Sequence, residues 1–151
     1  MSQEQYGSFI PFKERRRFLF LFTKTDGWWG KYLNGYTHVC LMEYINQEFA
    51  IGFEPALSGC RTIFRTVLTR KDIELLQDWT VLELTVLATK KNRLIKPIFQ
   101  TCATIVQYLA GISLGCILAN GLYKKLTSSN HSWLESKGIY GVTLWAKSQK
   151  V

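Results

Sequence analysis

No apolar stretch in this chain is long enough to cross a membrane as a helix. The strongest run, Phe18 to Phe22, falls far short of the roughly twenty residues that a bilayer requires. Met1 to Phe12 lacks the ordered basic region, apolar region and cleavage site of a secretory leader. Lys13-Glu14-Arg15-Arg16-Arg17 precedes only a brief apolar strand, so folding in a cytoplasm is expected. Cysteines are few and scattered: Cys40, Cys60, Cys102 and Cys116 form no C-x-x-C pair, and His38 and His131 do not bracket them at zinc-finger spacing. Reduced thiols are a better reading than a disulfide framework in a chain with a core of its own. A metal site made from His38, Cys40 and a distant ligand fits the common spacings only loosely, so no metal and no cofactor is expected. Internal repeats and low-complexity blocks are also missing.

Acidic residues are in short supply. Eleven Asp and Glu face 19 Lys and Arg, a net charge of +8. The basic residues gather at Lys13, Arg15, Arg16 and Arg17, at Lys90, Lys91, Arg93 and Lys96, and at Lys124 and Lys125. Such clusters attract nucleic acid, anionic surfaces or acidic proteins without specifying any of them. No base-reading motif accompanies them, and the aromatic residues interleave with apolar positions rather than basic ones.

What the chain does have is core. At 151 residues, 47% of them hydrophobic and 14% aromatic, it suits one domain over 1–151, with a weakly ordered lead at 1–12 and a C-terminal extension at 128–151. Arg17 to Thr23 reads as a strand buried on both faces. Thr37 to Tyr44 and Glu48 to Glu54 alternate and read as a hairpin, and Arg61 to Leu68, Trp79 to Ala88 and Tyr140 to Ala146 read as further strands. Lys71 to Gln77 is a short helix or irregular element. Cys102 to Ala110 and Leu118 to Leu126 have helical spacing, the second ended by Thr127-Ser128-Ser129-Asn130. The expected class is α+β, with helices packed on a mostly antiparallel sheet.

Two residues in this framework carry potential chemistry. Thr101 suits an N-cap, which makes Cys102 the first residue of a helix that ends at Gly111. There the unpaired backbone N–H groups and the positive end of the dipole favour a thiolate. His38 lies in the alternating strand, sharing a face with Cys40, Met42 and Tyr44, while Val39, Leu41 and Glu43 take the other. With Asn46 at the centre of the loop Ile45-Asn46-Gln47, His38 falls directly opposite Glu54, where a carboxylate can hold one imidazole nitrogen. Cys102, His38 and Glu54 are therefore the candidate catalytic residues. Gln100 and Tyr36 are candidates for an oxyanion partner, and the pair Trp28-Trp29 for a cleft wall beside His38.

The order of histidine on a strand, polar residue on the next strand and cysteine opening a later helix resembles the circularly permuted branch of the papain-like fold. That branch holds NlpC-type peptidases, lecithin retinol acyltransferase relatives and small phage-encoded proteins. The segments that carry the resemblance are Tyr36-Thr37-His38-Val39, Phe53-Glu54-Pro55 where phage members often have Asp-Pro, Thr101-Cys102-Ala103 through Leu109, and Asn120-Gly121-Leu122-Tyr123-Lys124-Lys125-Leu126. The resemblance covers about residues 17 to 127.

The resemblance implies a cysteine hydrolase or acyltransferase acting on a peptide or acyl substrate, peptidoglycan peptides included. Cys102 would be the nucleophile, His38 the general base and Glu54 the residue that orients it. It equally allows a non-enzymatic phage virion or assembly protein on the same fold, partnered by viral structural proteins in the host cytoplasm or the particle. The basic clusters add a third reading, a nucleic-acid-binding module.

Overall fold

A strand with no polar side must be covered on both faces, and Phe18 to Phe22 is such a strand. The computed structural model describes residues 15–25, 34–56, 59–66, 71–72, 77–87 and 101–149, with residues 56 and 59–66 described by their backbone alone. It places β1 (Arg15–Thr23) inside a six-stranded antiparallel sheet, between β2 (His38–Tyr44) and β5 (Trp79–Leu87). Beyond β2 come β3 (Phe49–Ala56) and β4 (Gly59–Thr66), and beyond β5 lies β6 (Ile139–Ala146). Three helices complete the described fold: α1 (Cys102–Ala110), α2 (Ala119–Ser128) and α3 (His131–Ser136). The α+β class is as expected.

Strand alternation sorts the side chains into two unequal cores. On one face Phe18, Phe20, Phe22, Val39, Leu41, Leu82, Leu84 and Val86 meet Ala103, Val106 and Ala110 of α1 and Leu122 and Leu126 of α2. Phe22, Tyr36 and Tyr123 form an aromatic triangle there, with ring centroids 4.7 to 5.6 Å apart. On the other face a smaller core consists of Leu19, Leu21, Met42, Ala50 and Val81, ringed by Cys40, Tyr44, Trp79 and Trp145.

Helix α1 is held at both ends and in the middle. Thr101 accepts from the Thr104 backbone N–H while the Thr104 side chain accepts from the Thr101 N–H, a reciprocal cap, and Gly111 closes the helix at φ 75°. Between them the buried Gln107 amide donates to the carbonyls of Ala103 and Cys116 and accepts from the Leu114 N–H, which straps the extended segment after the helix onto its side.

Two boundaries differ from the sequence reading. Thr127 and Ser128 do not break α2, because their hydroxyls donate to the carbonyls of Tyr123 and Lys124 within the same helix. Asn130 instead starts α3, accepting from the Trp133 N–H. The stretch expected to be an appended extension supplies α3 and β6, and Leu134 and Ile139 from it are buried in the main core.

Candidate functional site

Cys102 is the first residue of α1, capped as expected. Its thiol lies against the start of β2, with Sγ 3.9 Å from the Thr37 carbonyl oxygen. Burial pushes the thiol above its ordinary ionisation range, and the backbone N–H groups of Val39, Ala103 and Cys102 itself pull it back only in part. At neutral pH the sulfur is therefore protonated.

His38 is the first residue of β2 and pairs with Thr23. Its imidazole Nε2 lies 3.3 Å from Cys40 Sγ. Burial lowers its proton affinity, and the nearby Glu54 carboxylate opposes that shift without cancelling it, so the ring is neutral at pH 7. Because Val39 and Leu41 face the helices, His38 and Cys40 face the other way, towards the smaller core. Cys102 and His38 thus meet the backbone of residues 37–39 from opposite sides, and no hydrogen bond or ion pair joins them.

The hairpin has the expected faces and a different register. The ladder pairs Leu41 with Phe53 and Tyr44 with Ala50, two residues further along than a loop centred on Asn46 would give. Asn46 organises the turn without being its middle. Its Oδ1 accepts from the Glu48 and Phe49 N–H groups, both at 2.8 Å, and the Phe49 carbonyl accepts from Ile45 and Asn46. A shift of two keeps every side chain on its face. Continuing the ladder sets Cys40 opposite Glu54 and leaves His38 on the diagonal. The Nε2 or Nδ1, Sγ and carboxylate oxygen of His38, Cys40 and Glu54 lie within 4.8 Å of one another. In the sequence Cys40 shares the His38 face and the two are weighed as metal ligands with a distant third; the ladder brings Glu54 to them as that third group.

The other candidates are occupied or unplaced. The Tyr36 hydroxyl is buried and bonded to the Thr80 hydroxyl, which leaves it no part in an oxyanion site. Gln100, Trp28 and Trp29 lie outside the described residues, as do Lys13, Lys90, Lys91, Arg93 and Lys96. Much of the first basic cluster is absorbed by the fold. Arg16 makes a two-pronged ion pair with Glu43 at 2.8 and 2.9 Å and also reaches the Leu109 carbonyl, while Arg17 pairs with Glu83 and stacks over Tyr44.

No protein-family model, no curated protein and no solved structure matches this chain. The likeness to permuted papain-like proteins stands on its short motifs alone. Among the described residues no helix is long and apolar enough to cross a membrane.

Proposed function

We propose that the chain is a cysteine hydrolase or acyltransferase on a circularly permuted papain-like domain, with Cys102 as nucleophile and His38 as general base. One observation carries this reading: the Cys102 thiol opens a capped helix and rests against the backbone beside His38, with Sγ 3.9 Å from the Thr37 carbonyl oxygen. In the reaction the imidazole takes the thiol proton and the sulfur attacks an acyl carbonyl. The amine or alcohol then leaves with that proton, and water or a second acceptor releases the acyl group from the thioester. Glu54 orients the imidazole in the resting arrangement. The arrangement described is a resting one, since the ring must leave Cys40 and come round the end of β2 to reach Cys102. That movement would have to loosen the last rung of the β1–β2 ladder, Thr23 with His38, and the bonds that Thr37 makes to the Thr23 carbonyl and to Thr25 just before it.

The test is alkylation of the intact chain with iodoacetamide at pH 7. Cys102 is expected to react at least tenfold faster than Cys40, Cys60 or Cys116, and His38→Ala to remove that advantage. Equal rates at all four thiols defeat the reading.

A second reading, a non-enzymatic phage virion or assembly component, is favoured by one specific feature: the imidazole is engaged with Cys40 while the Cys102 thiol stays protonated. On that reading Cys102→Ala leaves particle assembly unchanged. On the first, it abolishes turnover.

A further inference from the structure

We propose that His38, Cys40 and Glu54 form a divalent-metal site, suited to zinc, on the face of the sheet turned away from the helices. The proposal does not rest on the hydrolase reading, which has no use for Cys40.

The donor set is the first argument. An imidazole nitrogen, a thiol sulfur and a carboxylate oxygen are the three ligand types zinc takes, and three protein ligands with one open position make a site that can hold water or an exogenous group. Geometry is the second. Zinc–sulfur and zinc–nitrogen bonds of about 2.3 and 2.05 Å, at a tetrahedral angle, separate the two ligand atoms by about 3.5 Å. His38 Nε2 and Cys40 Sγ stand 3.3 Å apart, so the pair already spans one edge of such a tetrahedron. The Glu54 carboxylate, within 4.8 Å of both and exposed, needs only a side-chain rotation to complete the triangle.

The scaffold supplies the rest. Two ligands come from alternate positions of β2, paired to β1, and the third from β3, paired to β4, so sheet pairing holds all three backbone positions. β3 is itself paired on its far side by β4, and Pro55 after Glu54 keeps the strand extended there. Leu21 of β1 lies beside Cys40 in the ladder and Met42 follows on the same face, so the ion has an apolar floor below and solvent above.

Cobalt(II) titration of the reduced chain, followed by optical absorption, reads the site directly. One equivalent per chain is expected, with a sulfur-to-cobalt charge-transfer band and the intense visible bands of a tetrahedral ion, both displaced by zinc. Cys40→Ser should abolish the charge-transfer band, and His38→Ala should weaken binding at least a hundredfold. Glu54→Gln, at an exposed position that leaves the fold intact, should weaken it at least tenfold. Cys102→Ser should change nothing. The proposal is overturned if the wild-type chain shows no charge-transfer band, if Glu54→Gln binds cobalt as tightly as wild type, or if the band follows Cys102 instead of Cys40.

Discussion

The two faces of the sheet do different work. The helix-covered face is continuous and aromatic, with Phe18, Phe20 and Phe22 fully buried beneath α1 and α2. The opposite face has a core of five residues, and around it stand groups that titrate or bind cations: His38, Cys40, Glu54, Tyr44 and the Arg17–Glu83 pair. Cohesion is concentrated on the first and potential ligand chemistry on the second, while Cys102 sits at the end of the sheet on the first. The contrast teaches that a site can lie in a strand pattern whose other side carries the fold.

The largest test of that division is Phe20→Ala, expected to cost about 3–5 kcal/mol, against about 2–3 kcal/mol for Leu21→Ala on the smaller core. Urea unfolding of both variants measures the difference, and equal losses would erase the asymmetry. Next comes Gln107→Leu, which strands the Cys116 carbonyl and the Leu114 N–H and should cost about 2 kcal/mol in the same measurement. Thr101→Ala removes the cap of α1 and should cost about 1 kcal/mol. Arg17→Ala, which breaks an exposed ion pair and a contact with the Tyr44 ring, should cost under about 1 kcal/mol, an effect that shrinks in high salt.

The gentlest test changes only the pH. His38 binds its proton less well in the folded chain than at its ordinary value of 6.5, so the unfolded chain takes up the proton first and stability falls as pH drops below that value. Cys102 holds its proton more tightly than at its ordinary 9.0, so the unfolded thiol ionises first and stability falls as pH rises beyond it. Thermal melts across this range should show both limbs, with His38→Asn flattening the acid one. Cys102→Ala should flatten part of the alkaline one, with Cys116, Tyr36 and Tyr44 also contributing because burial raises each of them.

Much of this fold could be read from residue order. Alternation marked β2, β3 and β5, and Thr101 and Gly111 bracketed α1 within a residue. Three things escaped for physical reasons. Ser and Thr near a helix end read as breakers, and nothing local revealed that Thr127 and Ser128 would bond back within α2. Loop length does not determine register when a side chain such as Asn46 satisfies two turn amides, so Glu54 came out opposite Cys40. Most consequentially, both sides of β2 carry apolar residues, and the pattern alone cannot tell which side the helices cover. Val39 and Leu41 won that contest, and His38 went with Met42.

Gly35 and Asn120 stand far apart in the chain and share one small space. The Asn120 carboxamide oxygen accepts the Tyr36 N–H at 3.2 Å, and a methyl group added at Gly35 would lie 2.2 Å from that same oxygen. Mutational history at these two positions therefore has a direction. A lineage can shorten residue 120 first, giving up one hydrogen bond, and only then place a side chain at 35, where the left-handed backbone still disfavours it. The reverse order, Gly35→Ala first, forces the Asn120 carboxamide to swing away and gives up the Tyr36 hydrogen bond in the same step as it strains residue 35.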